Sequence, residues 1–274
     1  MNFGKIAISF STLTVIAATS QAGYIYGLSN SKTMSGIYKI DTATGKTSQV
    51  HSLKLNHQDN SGEDNGLALD TKSKSFYYAN YKKQLVKVDS IGEKVVGSLK
   101  AAVSNATIYN NAYYYVAEGG SQLHKVDLGT YTDTSYATLK IGKENYSSGY
   151  GDIASQGDGT FYGAGSEGFY SGNLENKGIS SIKKIGKGLG NMQIGYFGSS
   201  LYGVNTGNNN DKADANKVYA IDTATGTKKY LSTLDNSKFF ITDVASAAPV
   251  PEPASLVAMG LGLAGVVRRR RQAK

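Results

Sequence analysis

The chain holds three histidines, His51, His57 and His124, and no cysteine. Thiolate nucleophiles, disulfides and cysteine-bound metals are therefore excluded. No two histidines have the close spacing of a metal site on one helix or strand, so each reads as a surface or strand residue. Two polar loops carry further donors. "NHQDNSGEDNG" contains His57, Asp59, Glu63 and Asp64, and "NTGNNNDKADANK" contains Asn208, Asn210, Asp211 and Asp214. The first reads as a solvated loop. The second could hold a hard ion, but it lacks the ordered ligand spacing of a calcium-hand loop, so a structural calcium there is the one ion the pattern leaves room for. No Gly-x-Ser-x-Gly elbow, P-loop or His-Glu-x-x-His helix occurs. "GAGSEG" at residues 163–168 follows a strand and opens no helix, which makes it a loop rather than a dinucleotide fingerprint. Paired acids for glycoside hydrolysis depend on spacing that only a fold creates. The chemistry-bearing residues thus predict no catalytic residue, no metal ligand set and no cofactor.

Tyrosine is the remaining chemical resource, at 20 residues. Its rings could stack on sugars while its hydroxyls, with loop asparagines and serines, make hydrogen bonds. Tyrosine is also a good strand residue, and that reading is the simpler one.

The elements that must position these residues are repeated. "GIYKIDTATGKTSQV" at residues 36–50 and "KVYAIDTATGTKKYL" at residues 217–231 nearly coincide. Weaker copies begin at Gln84 and Gln122, and a degenerate one, "GNLENKGISSIKKIG", covers residues 172–186. Each copy follows a short aromatic strand, "YIYGLS", "SFYYAN", "AYYYVA", "TFYGAG" or "SLYGVN". Before four of these stands a further strand candidate, "GLALD", "NATIY", "GDIAS" or "MQIGY". β-branched and aromatic residues alternate through the copies with no sustained helical period. Asp41 and Asp222 open turns that close at Gly45 and Gly226, so the repeated aspartates read as turn-makers.

Four strands in about 45 residues is the size of a propeller blade. The expected fold is all-β, a β-propeller of five four-stranded blades. The first unit lacks its innermost strand, and "FFITDVAS" at residues 239–246 resembles the missing piece. Pairing it beside residues 24–29 closes the ring and removes two exposed sheet edges. Six blades or a β-sandwich are the alternatives. The repeats also resemble extracellular propeller families with a "Y-G-hydrophobic … Y-hydrophobic-I-D-T-A-T-G" pattern, which bears on architecture, since propellers host enzymes, binders and scaffolds alike.

The two ends differ from this centre. The net charge is +8, but six of the 29 basic residues are Lys5, Arg268, Arg269, Arg270, Arg271 and Lys274, so the central portion is close to neutral and shows no basic stripe for nucleic acid. At the start, Lys5, an uncharged run over residues 6–18 and then Ser20-Gln21-Ala22 have the form of a secretory signal peptide cleaved after Ala22. At the other end, residues 254–267 are uncharged and rich in small side chains. As a helix they span only about 20 Å, short of the roughly 30 Å of a bilayer core. The arginines that follow resist translocation and would hold the tail in the cytoplasm while the rest is outside.

Pro251 and Pro253 bracket Glu252 ahead of this segment and keep the backbone extended. The order Pro251-Glu252-Pro253, short apolar helix, arginine cluster resembles the PEP-CTERM sorting signal of Gram-negative, exopolysaccharide-producing bacteria. The resemblance implies transient anchoring in the inner membrane, recognition of Pro251, Glu252 and Pro253 by an exosortase, a cytoplasmic stop at Arg268, Arg269, Arg270 and Arg271, and release to the cell surface or extracellular matrix. The domain plan is then a signal peptide at 1–22, a β-propeller at 23–249 and a sorting signal at 250–274. The functional expectation is a non-enzymatic binding or scaffold protein linked to exopolysaccharide or biofilm. The alternative is an extracellular hydrolase or lactonase-like enzyme with a metal in the central channel.

Overall fold

The structure, a computed structural model, describes residues 23–31, 34–54, 64–146, 151–165, 168–206, 214–236 and 241–247. These form 22 strands in five sheets arranged as the blades of a propeller. Blade 1 contains β1 (Tyr24–Ser29), β2 (Gly36–Asp41) and β3 (Thr47–Ser52). Blade 2 contains β4 (Asn65–Asp70), β5 (Ser75–Ala79), β6 (Gln84–Asp89) and β7 (Gly92–Ser98). Blade 3 contains β8 (Val103–Tyr109), β9 (Ala112–Ala117), β10 (Gln122–Asp127), β11 (Asp133–Ile141) and the short β12 (Glu144–Asn145). Blade 4 contains β13 (Asp152–Ser155), β14 (Thr160–Ala164), β15 (Phe169–Asn173) and β17 (Lys183–Gly186), with β16 (Gly178–Ser181) between the last two in sequence. Blade 5 contains β18 (Met192–Phe197), β19 (Ser200–Asn205), β20 (Lys217–Ile221) and β21 (Lys228–Thr233).

The last strand, β22 (Ile241–Ala245), completes blade 1 from the far end of the domain. It lies antiparallel to β1, with Tyr26 opposite Ala245 and Leu28 opposite Asp243. The closure expected from the sequence is therefore present, and the first and last segments share one sheet.

Where the sequence repeat is degenerate, the structure departs from a plain four-stranded blade. β16 leaves blade 4 and pairs in parallel with β11 of blade 3, Ala137 opposite Gly178, so that sheet has six strands. The third strand of blade 4 is β15, with β17 outermost. Gly178 at φ +89° makes the turn that carries the chain across.

The core is five cores, one between each pair of neighbouring blades. A blade buries both faces, so alternate residues of one strand enter different cores. The run Tyr113-Tyr114-Tyr115 shows this. Tyr113 and Tyr115 pack with Tyr77 and Leu85 of blade 2, whereas Tyr114 packs with Phe161 and Tyr170 of blade 4. Most of the aromatic strand residues are thereby committed to the interior.

The outer hairpins follow the turn chemistry read from the repeats. Asp41 accepts hydrogen bonds from the backbone N–H groups of Ala43 and Thr44 at 3.0 and 2.9 Å, and Gly45 follows at φ +70°. Asp222 does the same with Ala224 and Thr225, ahead of Gly226 at φ +71°. Gly45 also marks a close approach between blades: a Cβ there would lie 1.9 Å from the Thr233 carbonyl oxygen.

Candidate functional site

The innermost strands β22, β4, β8, β13 and β18 stand at the ends of their sheets and pack against one another around the axis. Register places one oxygen-bearing side chain from each at the same level. Asp243 lies opposite Leu28, Asn65 opposite Ala79, Asn105 opposite Val116, Asp152 opposite Ala164 and Gln193 opposite Val204. These five partners occupy equivalent positions in the five second strands. In order round the axis the ring reads Asn65, Asn105, Asp152, Gln193, Asp243.

Each acid is held by backbone donors from its own strand and from the next blade, with Leu67 N–H a further donor at Asp243. Asp152 accepts from Ile153 N–H at 2.6 Å and from Ile194 N–H at 2.9 Å. Asp243 accepts from Val244 N–H and from Gly66 N–H, both at 2.6 Å. Both acids are 0% exposed, and their carboxyls interact across the axis although their blades are not neighbours. Burial, and then the negative charge of Asp243, holds the Asp152 carboxyl well above the usual carboxylate range. Burial likewise pushes Asp243 up to about 8. The adjacent Tyr113 hydroxyl donates to the Gly66 carbonyl at 2.7 Å.

Beyond this ring the axis opens into a funnel of about 420 Å³. Leu67, Ala106, Ile153 and Val244, each one or two residues past the ring, form its floor. Its walls carry Asp70, Lys72, Thr107, Tyr109, Ser155, Gln156, Tyr196 and Ser246, and its rim the two-residue hairpin Asn110-Asn111. That hairpin uses asparagine at φ 45° and 58°, the left-handed pair that a tight two-residue turn demands. Asp70 is engaged in its own turn, accepting from Lys72 N–H at 3.1 Å and from the Ser73 hydroxyl at 2.6 Å. Tyr109 donates to Glu175 at 2.7 Å. The lining is thus rich in hydroxyls and amides, and among the described residues no hydroxyl in it is paired with a histidine base.

The described histidines serve the framework instead, His51 between two blades and His124 within blade 3. His51 lies 3.1 Å from Glu93 of blade 2, which also accepts from Lys54 N–H at 3.0 Å. His124 stacks on Tyr115 and lies 3.2 Å from Asp133, which accepts from the Tyr115 hydroxyl at 2.6 Å and from Lys100 N–H at 2.7 Å. Asp214 pairs with Lys217 at 2.6 Å. His57, Asp59, Glu63, Asn208, Asn210 and Asp211 lie outside the described residues, as do Ala22, Pro251, Glu252, Pro253, Arg268, Arg269, Arg270, Arg271 and the short apolar helix expected at 254–267. Among the described residues no group of three or more histidines and acids gathers as a metal cluster, and no helix is long and apolar enough to cross a membrane.

Sequence reasoning placed Asp152 and Asp243 inside innermost strands without singling them out. The available signal was the alignment of those strands, in which a polar residue precedes an apolar one in "NA", "DI", "QI" and "DV".

Residues 249–271 match the PEP-CTERM protein-sorting motif. That match takes in Pro251, Glu252, Pro253 and the four arginines at Arg268 to Arg271. It implies an exported protein processed by an exosortase. No curated protein matches the chain. Among solved structures, the fold is similar to a chain in the crystal structure of a nidogen/laminin complex, at 10% identity and TM-score 0.50, covering 82% of this chain and 81% of that one. A gluconolactonase from Xanthomonas campestris aligns at 11% identity and TM-score 0.46, covering 79% and 78% of the two chains. A glutaminyl cyclase from Myxococcus xanthus aligns at 10% identity and TM-score 0.37, covering 54% and 66%.

Proposed function

We propose that the chain is a non-enzymatic binding protein of the cell surface or extracellular matrix, which engages a neutral polyhydroxylated polymer, an exopolysaccharide, in its axial funnel. One observation carries this reading: a funnel of about 420 Å³, lined by hydroxyl and amide side chains, on a chain bearing the PEP-CTERM motif. Hydroxyls, amides and tyrosine rings are the groups that bind sugars without transforming them.

The non-catalytic reading is supported by the burial of the axial acids. A general acid or nucleophile must reach the reacting atom, and Asp152 and Asp243 are 0% exposed beneath the funnel floor. The delivery scheme follows the motif. A signal peptide at 1–22 cleaved after Ala22 starts export, the segment 250–274 anchors transiently in the inner membrane, Pro251, Glu252 and Pro253 are gripped by the exosortase, and Arg268 to Arg271 stop translocation. The propeller at 23–249 is then released.

Retention of the protein on the producing strain's own polymer, compared with Asn111→Trp blocking the funnel mouth, tests the binding role. Retention by the unaltered chain and loss in the variant is expected; no retention on any matrix fraction overturns it. Replacing Arg268, Arg269, Arg270 and Arg271 with glutamine is expected to leave an unprocessed, missorted form, visible as a heavier band in the wrong fraction.

A further inference from the structure

The axial ring contains two carboxyl groups at one register level, both 0% exposed, with no basic side chain paired to either among the described residues. Two such groups cannot both ionise unaided, because the charge has neither water nor a counter-charge to stabilise it. Either one proton or one cation must sit between them.

The neighbouring amides distinguish these possibilities. Asn105 is 0% exposed and Gln193 is 7% exposed, and the Oδ1 of the first and the Oε1 of the second have no hydrogen-bond partner. Gln193 stands between the two acids in the ring, and Asn105 stands on the other side of Asp152, all four at one register level. A proton shared by Asp152 and Asp243 would leave both amide oxygens orphaned, at a cost of about 1–3 kcal/mol each. A cation recruits all four oxygen-bearing groups at once.

We propose that this ring binds one hard divalent cation, calcium, through the carboxyl oxygens of Asp152 and Asp243 and the amide oxygens of Asn105 and Gln193. The donor set is entirely oxygen, which suits a hard ion and not zinc or copper. Two carboxylates, each mono- or bidentate, and two amides provide four to six ligands from four side chains, and calcium accepts six to eight in irregular geometry. Magnesium requires a near-ideal octahedron and keeps several waters, which a sealed ring of five converging strands does not favour. The backbone donors from Ile153, Ile194, Val244 and Gly66 each use one lone pair of a carboxyl oxygen, and Leu67 N–H also faces Asp243, so the two carboxyls keep lone pairs for the ion, more of them on Asp152 than on Asp243. The ion joins blades 1, 3, 4 and 5 at their innermost strands, so its role is to clamp the closure. This inference is independent of what the funnel binds.

The test uses the full chain, stripped with chelator and titrated with calcium chloride by calorimetry and thermal unfolding. The expected result is one calcium per chain, a melting temperature that rises with free calcium and falls in chelator, and a smaller response to magnesium. Asp243→Asn is expected to weaken calcium binding on the order of a hundredfold, and Asn105→Ala about tenfold. Two results would overturn the proposal: an unaltered chain whose melting temperature and heat signal ignore calcium, or a stoichiometric calcium whose affinity is the same in Asn105→Ala and Asp243→Asn. If Asp243→Asn does not fold, the Asn105→Ala affinity and the response of the unaltered chain decide the matter.

Discussion

The outer hairpins and the axial ring are both built on aspartate, and they use it in opposite ways. At the rim, Asp127 accepts from the backbone N–H groups of Thr130 and Gly129, both at 2.8 Å, and these donors hold its carboxyl below the usual range. At the axis, Asp152 and Asp243 accept equally short bonds from backbone N–H groups, yet both carboxyls lie above that range. The hydrogen bonds are alike, so they do not account for the difference. Water solvates the rim residue, while the axial pair is fully buried, so desolvation, joined at Asp152 by the charge of Asp243, outweighs the donors. The same side chain is a local turn-maker in one place and a tertiary fastener in the other.

The most severe way to break this contrast is to end the chain before Ile241. That removes Asp243 and the closing strand together, exposing β1 and the axial edge. Loss of cooperative unfolding is expected by calorimetry, and a truncated chain that melts within a few degrees of the full one would show that the axis does not fasten the ring. Asp243→Ala is the next largest change. It strands the N–H groups of Gly66 and Val244 and leaves Asp152 without its partner, and a loss of about 3–5 kcal/mol is expected in urea unfolding.

pH separates the two classes in one experiment. Asp89 and Asp127 have depressed folded values, so they contribute stability above the unfolded range near 4 and lose it as pH falls through those folded values. Asp152 and Asp243 have raised folded values, so their contribution is complete below about 4 and is lost as pH rises toward about 8. The groups facing the pair are each other and the Tyr113 hydroxyl, which ionises at still higher pH. In chelator, the melting temperature should therefore fall between mildly acidic and mildly basic pH. A flat profile there would mean the pair does not take up a proton on folding.

Smaller effects sharpen the picture at the rim. Gly45→Val places a β-branched residue at φ +70° against the Thr233 carbonyl, and a loss of about 2–3 kcal/mol is expected from denaturant curves. Asp222→Ala removes only an exposed turn's acceptor and should produce the least change of the series, read as a slight fall in melting temperature. If it matches Asp243→Ala, the distinction between rim and axis fails.

How much of this was legible follows from the range of the interactions. Strand order within a blade, the Asp-to-Gly turns and the closing strand depend on local alternation and on similarity between copies, and they were readable as text. Blade 4 was blurred because its third and fourth strands lack the repeated hairpin, and the segment between them finds its partner in blade 3. The tyrosines could be read as sugar platforms or as strand residues; packing between blades commits many of them, including Tyr78, Tyr113 and Tyr115, to the cores. The junction acids Glu93 and Asp235 left no local mark, since their partners lie in other blades, and Asp133 left none because its partners His124, Tyr115 and Lys100 are 9 to 33 residues away.

By itself the sequence determined an all-β repeat fold, with five blades as the expected count and six blades or a sandwich as alternatives, and a sorting tail, because period-two patterning, turn chemistry and the Pro-Glu-Pro, apolar, arginine order are all written within short windows. Only the tertiary structure decided that Asn105, Asp152, Gln193 and Asp243, separated by some 40 to 50 residues at each step, meet at one level of the axis. The physical reason is that a residue's charge state depends on what surrounds it. For these four, the surroundings exist only once the last strand has paired with the first.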